Sequence, residues 1–202
     1  MSGTDRVSML GFRLAVFQGV FHPSLFFSSR ILGKYLLSKD FRGKRILDMG
    51  TGSGLLALCA ARAGGSIVAV DVNPTAVRCA AENVIRNRLD TAIKVLGGDL
   101  FDPIPSEDRF DLIVWNPPFY DRQANSSEQR AWNAGSGFET VRQFACKAGD
   151  YLAPGGEILL ILTSDVDADQ FFQAFGGFNR TPLFARRRLF EKLTVYRLDR
   201  RG

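Results

Sequence analysis

Residues Phe110–Trp115, FDLIVW, run directly into Asn116-Pro117-Pro118-Phe119 and constrain the fold more than any other stretch. The hexapeptide is apolar, β-branched and aromatic, with no Gly or Pro inside, as in a strand covered on both faces. A proline offers no N–H to a central sheet and pushes the residue before it into an extended conformation. Asn116 is therefore expected to sit extended at the strand's carboxyl end, ahead of a stiff diproline and an aromatic. In open α/β sheets that end is where ligands bind. The Asn116 side-chain oxygen and the Pro117 main-chain carbonyl are both acceptors. Together they suit the two hydrogens of a planar NH2 group, with Phe119 stacked on its plane. The plainer reading is a strand, a proline turn and a core phenylalanine.

Around this strand, strand and helix patterns alternate. Arg45–Met49 reads as a strand, Gly50-Thr51-Gly52-Ser53-Gly54 as a glycine-rich turn, and Leu55–Ala63 as a helix stopped by Gly64-Gly65. Ile67–Val72 is a second buried strand. Asn73 then caps a helix that has Pro74 at its first position. Ala76, Val77, Ala80, Ala81, Val84 and Ile85 fall on one face of it. Ile93–Leu96 is a third strand, ending at Gly97-Gly98-Asp99, and Phe110–Trp115 is the fourth.

Downstream, Ser136-Gly137-Phe138-Glu139 has capping-box spacing and opens a helix with the stripe Phe138, Val141, Phe144, Ala145, Ala148 and Leu152. Pro154-Gly155-Gly156 turns into a fifth strand, Ile158–Leu162. Asp167–Phe175 is a short helix, and strands near Thr181–Arg187 and Lys192–Leu198 form an antiparallel pair. The order implies an α/β fold, a doubly wound and mostly parallel sheet with helices on both faces. Residues 1–43 read as an N-terminal extension, with a helix over Leu25–Leu37, and residues 44–202 as the catalytic domain.

At 202 residues and 46% hydrophobic, the chain has enough apolar surface for one sizeable core. Cys59, Cys79 and Cys146 lie far apart with no Cys-x-x-Cys, which reads as reduced core thiols in a cytoplasmic protein; no metal site is expected. Phe12–Phe27 is apolar but interrupted by Arg13, Gln18, His22 and Pro23, too short and too polar for a membrane span. That patch and exposed strand edges are the candidate surfaces for a dimer or partner subunit. The net charge of +5 comes mostly from arginine, at Arg186–Arg188 and Arg197–Arg201. We read it as solvated charge on an edge hairpin, with an acidic partner as the alternative. His22, beside Pro23, reads as a packing or turn residue.

Asp48 precedes the GxGxG turn, and Asp71 ends the next strand. A dinucleotide site is the obvious rival, because it also holds a ribose with an acid after its second strand. The glycine spacing is not GxGxxG, however, and Asp48 at the loop's mouth would meet a pyrophosphate with a carboxylate. An ammonium and a sulfonium would be attracted there instead.

These residues resemble the class I S-adenosylmethionine-dependent methyltransferases, a Rossmann-like fold whose seven-stranded sheet ends in a C-terminal antiparallel hairpin. With Asn116-Pro117-Pro118-Phe119, the chain resembles the amino-methylating group that includes the release-factor glutamine methyltransferases and several RNA and DNA methyltransferases. The resemblance covers about Lys44 to the end. It implies that Asp48 and the loop of Gly50, Thr51, Gly52 and Gly54 hold the methionine part of S-adenosyl-L-methionine. By the same resemblance Asp71 takes the ribose, Val72 lies against adenine, and Asp99 with Leu100 reads the adenine amino group. Asn116, Pro117 and Phe119 hold the substrate nitrogen. Ala131-Trp132-Asn133-Ala134-Gly135 is similar to an Ala-Trp-x-Gly-Gly stretch of the short glutamine methyltransferases. The implied substrate is a protein glutamine; the alternatives are an exocyclic base amine of RNA or DNA, or a small metabolite under a lid formed by Tyr120–Gly135.

Overall fold

The computed structural model describes residues 4–20, 27–118, 138–188 and 191–201. Strands β1 (Thr4–Met9) and β2 (Phe12–Phe17) form an antiparallel hairpin and are followed by helix α1 (Phe27–Leu37). Next come β3 (Arg45–Met49), α2 (Leu55–Arg62), β4 (Ser66–Asp71), α3 (Pro74–Arg86), β5 (Ile93–Gly97) and β6 (Phe110–Trp115). The chain continues with α4 (Glu139–Ala148), a 3-10 turn at Gly149–Tyr151, β7 (Leu152–Thr163), α5 (Ala168–Gln173), β8 (Phe178–Arg188) and β9 (Glu191–Arg200).

Among the described residues the main sheet has seven strands in the order β5-β4-β3-β6-β7-β9-β8. Pairing is parallel from β5 to β7 and antiparallel for β7–β9 and β9–β8. The mostly parallel sheet closed by an antiparallel hairpin is the one the alternation implied.

Successive side chains of a strand point to opposite faces, so each inner strand feeds two cores. Ile46, Leu112, Val114, Leu159 and Ile161 pack with α1 and α2. Leu47, Met49, Ile113, Trp115, Ile158 and Leu160 pack with α4 and α5. This two-sided burial explains why these strands read as continuous apolar runs. Strand succession reverses between β3 and β6, which opens a crevice at their carboxyl ends.

Several expectations change. The hairpin was not foreseen: its turn, Leu10 and Gly11, has both residues at positive φ (51° and 80°), and only Gly11 advertises that conformation in sequence. The Phe12–Phe27 patch is not a docking surface over its described part, because Phe12, Leu14, Ala15, Val16 and Val20 are buried within the chain. Ile85 does not share the α3 face; it is 68% exposed, and the buried positions are Ala76, Cys79, Ala80, Asn83 and Val84. A regular 3.6-residue turn places 83 and 84, rather than 85, above 76 and 80.

Cys59 and Cys79 are buried as expected, whereas Cys146 is exposed on α4. Pro154-Gly155-Gly156 lies inside the longer β7, where the register with β6 shifts between Phe110 and Leu112. The residue before α4 is Phe138, in the left-handed region at φ 58°; the capping-box reading falls on Ser136 and Gly137, which lie outside the described residues. No described helix is long and apolar enough to cross a membrane. Arg186 and Arg187 are exposed on the sheet's edge strand, β8.

Phe144 shows how the second core reaches the crevice. Its ring stacks on Trp115, with centroids 4.0 Å apart, and also contacts Phe101 and Phe175. Phe144→Ala leaves a cavity beneath the strand end that presents Asn116. The expected loss is about 3–5 kcal/mol in urea unfolding. A loss below about 1 kcal/mol would show that the stack is not a structural support.

Candidate functional site

The site is built where β3, β4, β5 and β6 end. Register aligns Met49 with Val70 and with Trp115, so the loop after β3, Asp71 and Asn116 leave the sheet at neighbouring positions. Asp71 aligns with Gly97, which puts Asp99 two residues beyond the end of β5.

Asp48 is buried beneath the glycine loop, 1% exposed. Its Oδ2 accepts from Thr51 Oγ1 at 2.6 Å and from the Ala57 N–H, in the first turn of α2, at 3.1 Å. Its Oδ1 is buried and has no hydrogen-bond partner among the described residues. Burial pushes the Asp48 carboxyl up to about 7, against the pull of those two donors. A buried acceptor left empty is uncommon, and a carboxylate in that state attracts a cation.

The loop above it is held at both ends. The Thr51 N–H donates to Val70 O at 2.9 Å, and the Gly52 N–H donates to Asp71 Oδ2 at 2.8 Å. Asp71 Oδ1 takes the Asn73 N–H at 2.9 Å, while Asn73 itself caps α3 through the Thr75 N–H. Asp71 thus joins two loops, and its carboxylate, with four lone pairs, has more acceptor capacity than the N–H groups that face it use. Burial raises the Asp71 carboxyl, opposed by the Asn73, Gly52 and Val72 N–H groups. Gly50 and Gly52 have φ of 68° and 56°, and nothing among the described residues lies within 4 Å of where a side chain would begin. Val72 is 37% exposed, an apolar surface at the end of β4. Asp99 is exposed, and the partly buried Leu100 has φ 44°.

Asn116 stands across the crevice, one residue past β6. Its Nδ2 donates to Ser29 Oγ on α1 at 3.2 Å, and its Oδ1 is buried without a partner among the described residues. Pro117 and Pro118 are buried. The two buried side-chain oxygens lacking partners among the described residues, on Asp48 in β3 and on Asn116 just past β6, thus stand at the ends of adjacent parallel strands. One carries charge and the other is neutral, so they suit a cation and an uncharged N–H donor respectively. Phe119, His22, Trp132, Asn133 and the rest of Tyr120–Gly135 lie outside the described residues.

Sequence reasoning missed two residues here. Neither Ser29 nor Asn83 belongs to a motif, and neither is given a role from the sequence. The available signal was the same in each case, a small polar residue on an otherwise apolar helix face.

Residues 12–191 match the family described as the methyltransferase small domain. The ribosomal RNA small subunit methyltransferase C of Alcanivorax borkumensis is 31% identical over 156 residues, 74% of this chain and 43% of that protein. A Methanocaldococcus jannaschii protein, provisionally named a protein N5-glutamine methyltransferase, is 31% identical over 164 residues, 78% of this chain and 79% of that protein. The chain thus spans less than half of the first relative and about four-fifths of the second. Among solved structures, the T. thermophilus 16S rRNA N2 G1207 methyltransferase in complex with AdoMet and guanosine superposes with a TM-score of 0.72. It is 24% identical, over 100% of this chain and 51% of that one. The E. cuniculi Mtq2–Trm112 complex gives 0.68 at 18% identity, over 91% of this chain and 100% of that one. At these identities the two superpositions show a shared fold.

Proposed function

Because this chain belongs to the methyltransferase small domain family, we propose that it transfers a methyl group from S-adenosyl-L-methionine to a planar NH2 nitrogen, that of a glutamine side chain in a protein. One observation carries the reading: the buried Asn116 Oδ1, without a partner among the described residues, stands at the end of β6, beside the strand that bears a second such acceptor on Asp48. Residues 44–202 form the catalytic domain in this reading, with 1–43 as an extension packed on it. Free Cys59 and Cys79 suit a reducing cytoplasm.

Asp48 Oδ1 accepts from the ammonium of the cofactor. Asp71 would take the ribose hydroxyls, Val72 would cover the adenine, and Asp99 beside Leu100 would accept from its amino group. When bound, the cofactor supplies an electrophilic methyl on a cationic sulfur. An amide nitrogen is a poor nucleophile because its lone pair is delocalised into the carbonyl. Asn116 Oδ1 and the Pro117 carbonyl hold its two hydrogens and raise its electron density, while Phe119 fixes its plane. Near-attack alignment of two reactants is worth on the order of 7–11 kcal/mol. No separate strong base is needed: as the N–C bond forms the C–S bond breaks to leave a neutral thioether, and the proton thereby made acidic, held in hydrogen bond by Asn116 Oδ1, is released to water.

The glutamine reading is supported by the length of the match to the Methanocaldococcus relative, which takes in most of that protein. A base amine is the second reading. It is favoured by the Alcanivorax relative and by the exposed Arg186 and Arg187. Incubation with methyl-labelled cofactor and cell extract separates the two. We expect label in protein, with a mass increment of about 14 Da, one methyl in place of one hydrogen, on glutamine after proteolytic digestion and mass spectrometry. Label recovered as a methylated base, lost at high salt, would replace glutamine with nucleic acid. Label in neither would sink N-methylation of a macromolecule.

A further inference from the structure

Helix α3 holds strand β2 in the way a neighbouring strand would, using two asparagine side chains. Asn83 Oδ1 accepts the Ala15 N–H at 2.7 Å, and its Nδ2 donates to Ala15 O at 2.8 Å. Asn87 repeats the pattern on Arg13, at 3.1 and 3.0 Å. The spacing works because four residues of helix rise about 6 Å and two residues of strand about 6.6 Å. Each carboxamide has one N–H left over, and the two are used differently. That of Asn87 goes to Asn83 O within α3, at 2.8 Å. That of Asn83 goes to Ser53 O, between Gly52 and Gly54, at 2.9 Å.

Asn83 is fully buried, with every donor and acceptor engaged. Immediately beyond Ser53, Gly54 lies so close to α3 that a side chain would begin 3.3 Å from the Ala80 main chain. The glycine loop therefore rests on α3 at consecutive residues, and one side chain grips both the loop and the hairpin.

We propose that Asn83 is a positioning residue that couples the β1–β2 hairpin to the cofactor loop, so that cofactor bound at the loop stiffens the hairpin and release of the hairpin from Asn83 weakens cofactor affinity. Coupling between two sites acts equally in both directions. The inference rests on the glycine loop holding the cofactor, as proposed above. A merely structural Asn83 would lower stability, and affinity would then fall only in step with it.

The test uses the full chain and S-adenosylhomocysteine as the probe. In the wild type, saturating probe should slow exchange of the Ala15 and Arg13 amides at least about 5-fold, the lower end of ordinary coupling. Asn83→Ala should raise the probe's Kd at least about 10-fold, a larger change than that in kcat at saturating cofactor. Asn87→Ala, which removes the hold on Arg13 but leaves Asn83 bonded to both Ala15 and Ser53, should lower Tm but leave Kd within about twofold. Equal dependence of Kd on Tm in both variants would overturn the proposal. If Asn83→Ala does not fold, the wild-type exchange decides: normal binding with unchanged Ala15 exchange overturns the coupling alone. A wild type that does not bind the probe overturns the cofactor reading and the coupling together.

Discussion

Asn116→Ala is expected to lower methyl transfer about 10²–10³-fold, the usual cost of deleting one hydrogen-bonding group aimed at developing charge. Cofactor affinity should remain within about twofold, since the cofactor's charged end is assigned to Asp48 and the loop. The substitution removes the partnerless Oδ1 and leaves the diproline corner, buried at Pro117 and Pro118, in place. It also frees Ser29 Oγ, which now receives the Asn116 amide hydrogen at 3.2 Å. Single-turnover transfer from labelled cofactor gives the rate, and calorimetry gives the affinity. Near-normal turnover with intact cofactor binding would mean that the substrate nitrogen is held elsewhere. Asn116→Asp, which keeps an acceptor but brings a charge into a buried position, should retain more activity than alanine only where that charge is tolerated.

Asp48→Asn has the other large effect, and it acts in opposite directions on stability and on binding. In the folded protein burial pushes the Asp48 carboxyl from 3.8 up to about 7. The folded state therefore holds this proton more tightly than the unfolded chain. Its stabilising contribution is fully present below about pH 4 and is lost as pH rises through about 7. Above that pH the protein free of cofactor carries a buried charge that the Thr51 and Ala57 donors only partly offset, a net cost on the order of 4 kcal/mol. The Asp48→Asn substitution removes the charge, so at pH 8 the variant should unfold at higher urea than the wild type, and at pH 4 the difference should vanish.

Binding should move the other way. The Thr51 and Ala57 donors claim the one amide oxygen of the variant, leaving an NH2 group turned toward the cofactor's ammonium. Losing a charged hydrogen bond of about 1.5–3 kcal/mol weakens binding about 10- to 150-fold. In the wild type, binding at pH 6 should release a proton from Asp48, seen as a calorimetric enthalpy that changes with the buffer's ionisation heat. If the variant bound cofactor normally, Asp48 would be a loop brace and not a ligand.

Much of the fold was legible because its signals are local. Gly64, Asn73-Pro74 and the Asn116-Pro117 junction restrict their own backbone, so the ends of α2, α3 and β6 could be placed from neighbours alone. The same holds for the apolar runs of β3 to β6, whose type follows from having both faces covered. The GxGxG loop and the diproline were visible as motifs for a related reason: each is one short piece of chain with an unusual backbone requirement.

Contacts between distant segments were not legible. The β1–β2 hairpin is held by Asn83 and Asn87, whose partners lie 68 and 74 residues away. Ser29 reaches Asn116 across 87 residues. Ile85 and Cys146 read as core residues because their composition is apolar, and only the packed helices show those positions facing water. The amino-acid order determined where the backbone must bend and which stretches must be buried. Tertiary structure alone decided which buried oxygens remain without a donor, because that depends on every neighbour that folding brings within hydrogen-bond distance.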